Sequence, residues 1–210
     1  MSRASPTRRP SSDVAFTDPV KAVQSRLGSR DTYAGMEREG GFATEIDDDL
    51  ADFIGEQRSL LLATASASGQ PYVQHRGGPP GFLRVLDPHT LAFADFKGNR
   101  QYISLGNLTE NPRVQLFLID YVDRRRVKIW GEAKVVEDEA ALVARLASPG
   151  YKARPERAIV IHVTAWDANC PQHIPLRLEA GDVEAALATR DRRFAELEAE
   201  VAALRRIGRT

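Results

Sequence analysis

The stretch RVQLFLIDYVDRRRVKIWGEAKVVED, residues 113 to 138, decides the fold class of this chain. It consists of two runs rich in β-branched and aromatic residues on either side of the charged tetrapeptide DRRR. Such residues fit the pleated, half-buried surface of a strand, and a short charged segment between two such runs is typical of a turn. The stretch therefore predicts two neighbouring strands.

Five further runs of the same composition flank this stretch, and Gly, Pro, Asp and Asn separate them. They are SLLLATAS, PYVQHR, FLRVLD and TLAFADF before it and RAIVIHVTAWD after it. A series of short strands with turn residues between them favours an antiparallel sheet that closes or half-closes into a barrel. We predict a mainly β domain with flanking helices, in the α+β class.

Two segments before the first strand have helical signals. The apolar spacing of residues 18–27 indicates a short helix, and the glycines from Gly35 onward break the pattern into a wrapping segment. In TEIDDDLADFIGEQR, residues 44–58, Thr44 and Asp47 resemble a capping box, and three aspartates suit the positive start of a helix. We predict a helix there with one apolar face.

Two shorter helices interrupt the series of strands. In GNRQYISLGNLTENP, residues 98–112, Asn99 is a candidate cap, and the pair Asn111-Pro112 predicts the end of the helix. In DEAALVARLAS, residues 138–148, the helix is expected to end before the following Pro-Gly pair. Neither helix is long enough to form a layer over a parallel sheet.

The tail of the chain predicts one long helix, because no Gly or Pro occurs from Asp182 to Arg206. Its apolar residues recur with steps of seven, three, four and three at Leu187, Phe194, Leu197, Val201 and Leu204. This seam is narrow, and barely three heptads are present. Two interpretations stay open: the helix packs on its own barrel, or it pairs with the tail of another copy.

These patterns divide the chain into four parts. We expect a disordered N-terminal arm at 1–17, a helical segment at 18–58, a barrel domain at 59–180 and an amphipathic helix at 181–210. The arm is basic and rich in Ser and Pro, and no apolar stretch follows it, which argues against a secretory signal.

Composition excludes several classes of function. Lys plus Arg equals Asp plus Glu at 29 each, so no bulk charge attracts nucleic acid or an acidic membrane surface. The arginines also lack the aromatic and basic platform of a nucleic-acid surface. One cysteine rules out an internal disulfide, and no window is long and apolar enough for a membrane span. We expect a cytoplasmic protein.

The familiar catalytic motifs are missing from the sequence, which has no G-x-S-x-G, no glycine-rich phosphate loop and no H-E-x-x-H. Cys170 and His173 have a spacing that begins some metal sites, but a structural zinc needs about four ligands and no second cluster supplies them. A Cys-His nucleophile is disfavoured because Pro171 separates the two and no third orienting group is evident. We therefore expect no metal.

Cations at the ends of separate strands are more informative. Arg76 leaves a strand into two glycines, Lys97 and Arg100 lie at the expected start of a helix, and DRRR opens a strand at 123–126. Each group alone is typical of a solvated surface. Their recurrence in a chain of zero net charge predicts a focused anion site, because guanidinium groups and free helix amides favour phosphate.

The order of these motifs resembles the pyridoxamine 5'-phosphate oxidase-like, FMN-binding split-barrel family. Four stretches carry the resemblance between about residue 59 and about residue 177: QHRGGPPGFLRVLD, LAFADFKGNRQYISLGNLTENPRVQLFLID, RRRVKIWGEAKVVED and AWDANCPQHIPLR. The resemblance implies an antiparallel six-stranded split barrel, with N-terminal helices and a long C-terminal helix added here. It also implies a homodimer that binds FMN in clefts between its subunits.

The resemblance assigns residues of this chain to the cofactor. The phosphate group is expected near Arg76, Gly77, Gly78, Asn99, Arg100 and Gln101. Lys97 is added to these residues because of its positive charge. Ala94 and Asp95 match the strand end beside the flavin. The ring is expected to meet Arg126 of the other subunit, with Trp166, Gln172 and His173 on its other side. Fixing the phosphate and placing donors near the ring would suit a flavin that becomes negatively charged on reduction.

The chain departs from the oxidase pattern at three places. Gly81 and Phe82 stand where the family has a lysine, Gln101 stands where it has the lysine of an arginine-lysine pair, and CPQHIPLR lacks its Arg-x-His substrate clamp. These departures argue against pyridoxamine phosphate as the substrate and favour a pyridoxamine oxidase-related flavoprotein.

Two hypotheses for function follow. The first is an FMN-dependent oxidoreductase that moves two electrons between FMN and a small organic substrate, with His173 as a candidate proton donor. The second is a non-catalytic carrier or sensor that binds flavin or haem in the same cleft. An axial haem ligand is available at His75 or His173.

Overall fold

The computed structural model describes residues 9–169 and 171–207. Contacts divide the chain into two units. The first contains the described residues up to Asp120 and those from Arg125 to Pro171, and the second contains Tyr121–Arg124 and the described residues from Gln172 onward.

The first unit is built on one antiparallel sheet in the order β2-β1-β5-β6-β7-β4-β3. Its strands are β1 Ser59–Ala65, β2 Pro71–Gly77, β3 Leu83–Asp87, β4 Thr90–Phe96, β5 Arg113–Asp120, β6 Arg125–Val136 and β7 Pro155–Asn169. All seven runs that the sequence indicated form strands. The six strands implied by the resemblance are therefore corrected to seven.

The sheet does not close. Within the described residues, β2 pairs only with β1 and β3 pairs only with β4, so these two strands are its edges. The prediction of a mainly antiparallel sheet with flanking helices is confirmed, and of the two predicted alternatives, a closed or a half-closed barrel, the closed one is not found.

The main core lies between alternate residues of the central strands and helix α3, Asp48–Glu56. Leu62, Leu116 and Ile129 are fully buried on the inner face of the sheet. Asp47 caps α3, since its carboxylate accepts a hydrogen bond from the amide of Leu50 at 2.8 Å. The predicted capping box that began at Thr44 is thus wrong by three residues.

A second, smaller core cluster lies under helix α5, Ala140–Leu146. Its buried members are Ala92, Ala94, Val136, Val143, Leu146 and Ala158. Small residues on β4 and β7 let these strands lie close to the helix. Ala94 therefore points into this core, and its successor Asp95 points to the other side of β4.

The N-terminal segment is more ordered than the sequence predicted. Residues Ser11–Val14 form a 3-10 helix in which Ser12 is fully buried. Gly41 has a φ of +93°, and a Cβ there would lie 2.7 Å from the amide of Ser12. Close packing of this glycine holds the segment, so the arm predicted at 1–17 is not disordered over Ser11–Val14.

Two helices follow that segment, α1 Asp18–Leu27 and α2 Arg30–Arg38. The first matches its prediction. The second runs through Gly35, where the sequence indicated a break, because an ion-pair network holds it: Glu37 contacts both Arg30 and Lys21, the latter at 3.2 Å. Tertiary contacts here outweigh the low helix propensity of one glycine.

The Arg30 hydrogen bond holds the pKa of Glu37 below its ordinary value of 4.5, with Lys21 adding to the effect against the opposing influence of burial. A carboxylate with a lowered folded pKa contributes stability above its unfolded pKa, and that contribution is lost as the pH falls through the folded pKa. We predict that Glu37→Gln speeds proteolysis of residues 18–38 at neutral pH. The difference from the unsubstituted protein should begin to shrink below pH 4.5 and vanish once the pH is below the lowered pKa of the folded state.

The control for this prediction is Glu39→Gln, which removes an exposed carboxylate two residues away. A difference between the Glu37→Gln and unsubstituted proteins that persists unchanged into strong acid would contradict the ion-pair explanation.

The remaining helices are α4, Ile103–Glu110, in the first unit and α6, Ala180–Ile207, in the second. In the second unit the guanidinium of Arg177 lies 4.4 Å from the ring centre of Tyr121. A search of the described residues found no helix with the length and apolar character needed to cross a bilayer.

Candidate anion-binding site

A pocket opens in the first unit where β2, β4 and β7 meet the start of α4. Its lining is mostly polar. The lining residues are Gln74, Arg76, Asp95, Phe96, Gly98, Asn99, Arg100, Tyr102, Ser104, Leu105, Glu156 and Arg157. Four predicted cofactor residues, Arg76, Asp95, Asn99 and Arg100, thus lie around one pocket.

At the base of the pocket, Asp95 pairs with two arginines. Its carboxylate lies 2.5 Å from Nη1 of Arg76 on β2 and 3.2 Å from Nη1 of Arg157 on β7. Strand register explains the second contact, because Asp95 and Arg157 are directly opposite each other in the β4–β7 pair. The Asp95 side chain is only 6% exposed, so this carboxylate holds both guanidinium groups in a weakly hydrated place.

One of these arginines keeps unused donor capacity. Nε of Arg76 is buried and has no hydrogen-bond partner among the described residues. Arg157 is more fully engaged, because its Nε lies 2.9 Å from Glu137 and its Nη2 lies 3.3 Å from Glu156. A buried donor without a partner is costly, so Arg76 retains capacity for an anion.

Helix α4 begins at the pocket with its amides uncapped by any side chain. Its N-cap residue is Tyr102, with a left-handed φ of 56°, and Ser104 and Leu105 in its first turn line the pocket. Free amides at a helix start attract anions. The hydroxyl of Ser104 donates to Gln74 Oε1 at 2.9 Å, which ties the helix to β2.

The loop before α4 differs from its prediction. Asn99 does not cap the helix, because its side chain accepts a hydrogen bond from the amide of Gln101 at 3.2 Å and the helix begins four residues later. Arg100 has a left-handed φ of 60° and contacts Glu156 at 3.5 Å. Lys97 is exposed, and its amide donates to the carbonyl of Arg154. The predicted end of the helix at Asn111 is confirmed.

The charges of the pocket favour an anion. Three arginines against two carboxylates, Asp95 and Glu156, give the lining a net charge of +1, and Glu137 just outside the lining pairs with Arg157. Guanidinium groups bind phosphate in a bidentate manner, and helix amides add donors without adding charge. The arrangement therefore fits a phosphate or phosphate ester, with Asp95 orienting two of the arginines.

The predicted glycines pack against their own chain. The amide of Gly78 donates to the carbonyl of Arg58 at 3.0 Å, and a Cβ on Gly78 would lie 2.6 Å from Cβ of Phe82. A Cβ on Gly77 would lie 3.1 Å from that same carbonyl. The run GGPPG is thus needed to fold the β2–β3 connection against the first strand, and neither glycine lines the pocket.

This packing gives a testable prediction. We expect Gly78→Ala to lower the free energy of unfolding by about 1 to 3 kcal/mol, because the new methyl group overpacks against Phe82. The control is Gly106→Ala in α4, where a Cβ meets nothing within 4 Å. This substitution should raise the free energy of unfolding by about 0.5 to 1 kcal/mol. Denaturant unfolding measures both. Unchanged stability of Gly78→Ala together with weaker cofactor binding would show that Gly78 contacts a ligand instead.

Other predicted residues lie elsewhere. Trp166 is nine residues from Arg157, about 30 Å along β7, and its indole N–H donates to the carbonyl of Glu45 at 2.7 Å. Arg126 pairs in register with Asn169 near the same end of the strand. Within one copy of the chain, neither residue reaches the pocket. Trp166 instead holds the segment before α3 against the sheet.

The remaining predicted residues belong to the second unit or lie outside the described residues. Gln172 and His173 are exposed in the second unit, and His173 has a left-handed φ of 63°. Cys170, on which the zinc and nucleophile hypotheses depended, lies outside the described residues. Residues 9–169 and 171–207 contain no group of three or more His, Cys, Asp and Glu side chains placed to hold a metal ion.

Sequence reasoning missed several residues of the pocket, above all Arg157. The signal was present, because Arg157 opens an otherwise apolar run in the same way that Arg76 closes one. Its neighbour Glu156 and the side chains Gln74, Tyr102 and Ser104 had no such signal. They come together only through the sheet register and the start of α4.

Comparison with known protein families identifies this architecture. A sequence model described as pyridoxamine 5'-phosphate oxidase matches residues 46–170, which is more than half of the chain. The chain belongs to this family. The matched range contains every strand of the sheet and every residue of the pocket. A search of curated proteins found no match.

Several solved structures are similar to the chain at low identity. A putative pyridoxamine 5'-phosphate oxidase from Lactobacillus delbrueckii is 20% identical with a TM-score of 0.46, over 60% of this chain and 95% of that one. An FMN-binding protein from Syntrophomonas wolfei is 15% identical with a TM-score of 0.47, over 71% and 97%. The heme storage protein HutZ from Vibrio cholerae is 16% identical with a TM-score of 0.39, over 57% and 90%.

Proposed function

We propose that this member of the pyridoxamine 5'-phosphate oxidase family is an FMN-dependent oxidoreductase that binds the phosphate of FMN in the pocket between β2, β4, β7 and α4. The observation that carries the proposal is the convergence of Arg76, Arg100 and Arg157 on one cavity at an uncapped helix start. The buried, unpartnered Nε of Arg76 supports it, because a phosphate oxygen would satisfy that donor.

Each part of the pocket has a separate task in this proposal. Arg76 and Arg157 neutralise the phosphate, and the first-turn amides of α4 donate to it. Asp95 keeps the two guanidinium groups in place when no anion is bound. The bound FMN would supply the capacity to accept and return two electrons, while the protein orients it and tunes its surroundings.

We also propose that the functional unit is a homodimer. Trp166 lies about 30 Å along β7 from Arg157, and Arg126 on β6 pairs with Asn169 still farther along, so both are farther from the pocket than one FMN extends. If they contact the flavin ring as the family resemblance implies, they do so from a second copy. A dimer of this kind would also shield the ring from water.

The proposed reaction is a two-electron transfer between FMN and a small organic substrate, with oxygen or a nicotinamide as the second partner. The departures at Gly81, Phe82 and Gln101 favour a substrate other than pyridoxamine phosphate. His173 stays a candidate proton donor. Its test is a comparison of the pH dependence of turnover between the unsubstituted protein and His173→Gln.

Identification of the bound cofactor tests this proposal. The protein is purified, its absorption spectrum is recorded, and the released small molecule is identified by mass after denaturation. FMN in near-stoichiometric amount, followed by turnover with a nicotinamide or oxygen, supports an oxidoreductase. FMN without turnover supports a flavin carrier. A Soret band with released haem would overturn the FMN proposal in favour of a haem carrier, and neither chromophore after cofactor addition would overturn both.

A further inference from the structure

Helix α6, Ala180–Ile207, contains a long and narrow apolar seam. With 28 residues it is about 42 Å long. Each apolar side chain of the seam is at least 37% exposed. They are Val183, Leu187, Phe194, Leu197, Val201 and Leu204.

The seam follows a heptad repeat. Leu187, Phe194 and Val201 are seven residues apart and occupy the a position, and Leu197 and Leu204 occupy d. A seam confined to a and d is too narrow for burial in a globular core and has the width that a two-stranded coil requires. The occupant that matches this pattern in length and spacing is a second α6.

Charges beside the seam distinguish the two possible orientations. In a parallel, in-register pair, Arg193 at g faces Glu198 at e of the second copy, and Glu200 at g faces Arg205 at e. Both pairs attract. The antiparallel arrangement that aligns Phe194 with Leu197 also has attracting pairs, since Arg193 faces Glu200 of the second copy and Glu184 faces Arg205. It differs from the parallel arrangement in one repelling pair, because Asp191 lies beside Glu198 of the second copy.

The ion pairs already present within α6 do not compete strongly with these pairs between two copies. Arg193 contacts Glu196 at 2.8 Å, but both side chains are about 60% exposed, and such pairs contribute little. Arg193 can therefore change partners at small cost when the second helix approaches.

We propose that α6 forms a parallel, in-register two-stranded coiled coil with α6 of a second copy of this chain. The inference does not depend on flavin binding. One layer of the seam opposes the pairing, because Arg190 stands at a d position, where it contacts Asp191 at 3.1 Å. In the parallel pair the two Arg190 side chains face each other, so this layer weakens the coil and limits its stability.

Cysteine crosslinking of the full chain tests the proposal. In a Cys170→Ser background, Leu197→Cys places one thiol at d, and Ala199→Cys places one on the opposite side of the helix at f. Under mild oxidation we expect Leu197→Cys to form a disulfide-linked dimer in high yield, and Ala199→Cys and the background to form little. Equal yields for the two cysteine variants, or no dimer from Leu197→Cys, would overturn the parallel pairing.

A second variant separates a coil from chance encounters between copies. Arg190→Leu replaces the repelling layer with an apolar one, so we expect it to raise the crosslinking yield of Leu197→Cys at low protein concentration by several-fold. In the antiparallel arrangement Arg190 faces Val201, and mixing Leu197→Cys with Phe194→Cys would give heterodimers while Leu197→Cys alone would not. That result, or no effect of Arg190→Leu, would contradict the proposal.

Discussion

Replacing Arg76 with alanine is expected to weaken FMN binding by about 10- to 100-fold. A charge-assisted hydrogen bond contributes about 1.5 to 3 kcal/mol, and each 1.4 kcal/mol is a factor of ten in affinity. Nε of Arg76 is buried and has no hydrogen-bond partner among the described residues, so a bound phosphate gains a contact there without breaking an existing hydrogen bond. Quenching of flavin fluorescence on titration gives the dissociation constant directly.

The matched control for Arg76→Ala is Arg145→Ala. Arg145 is an exposed arginine in α5 that does not line the pocket. It should leave FMN affinity unchanged, because a distant exposed charge is largely screened. If both variants bind FMN as the unsubstituted protein does, Arg76 does not contact the phosphate. Circular dichroism on both variants checks that each retains its fold.

Replacing Asp95 with asparagine is expected to lower the stability of the protein without weakening FMN binding, unlike Arg76→Ala. The substitution leaves two mostly buried arginines without their shared carboxylate, and breaking such a pair costs about 3 to 5 kcal/mol of stability. It also raises the net charge of the pocket from +1 to +2, because one of its two carboxylates is removed. We therefore predict a less stable protein that still binds FMN at least as tightly.

Thermal or denaturant unfolding with and without FMN measures this pair of effects. Saturating FMN should restore part of the lost stability of Asp95→Asn, since a ligand at 100 times its dissociation constant adds about 2.7 kcal/mol. Asp31→Asn, at an exposed aspartate, is the control and should change neither quantity. A variant at Asp95 that is fully stable, or that loses FMN as Arg76→Ala does, would show that Asp95 does not hold the arginines in this way.

Much of the sheet could be predicted from the sequence because each strand is a short run with strong β propensity. The seven runs became seven strands, and the helix ends at Glu56 and Glu110 lie near the predicted positions. Closure of the barrel could not be predicted. It depends on whether the edge strands β2 and β3 find partners, which no local pattern reports.

The candidate site was partly predictable for the same reason. Arg76 and Arg100 were identified because a cation at the end of an apolar run is conspicuous in a chain of zero net charge. The pairing of Asp95 with Arg157 was not, because it depends on the register of β4 against β7, and 62 residues separate the two along the chain. Sequence patterns carry little information about register between distant strands.

The packing of the glycines and the helix start could not be predicted for a different reason. Gly78 was assigned to a ligand and stays a prediction, while the structure shows that the side chain of Phe82 takes the space that its missing Cβ leaves. Asn99 is a residue type that often caps helices, yet its side chain accepts a hydrogen bond from the amide of Gln101, and the helix starts at Ile103. In both cases several structures satisfy the local pattern, and packing selects one of them.

The relative affinity for FMN and riboflavin tests whether the pocket holds the phosphate of the cofactor, because these two ligands differ only in the phosphate. Both are titrated into the cofactor-free protein, and fluorescence quenching gives each dissociation constant. If the arginines and the start of α4 hold the phosphate, FMN should bind at least about 100-fold more tightly than riboflavin, and added salt should reduce the ratio. Equal affinities for the two ligands would show that the pocket does not bind the phosphate.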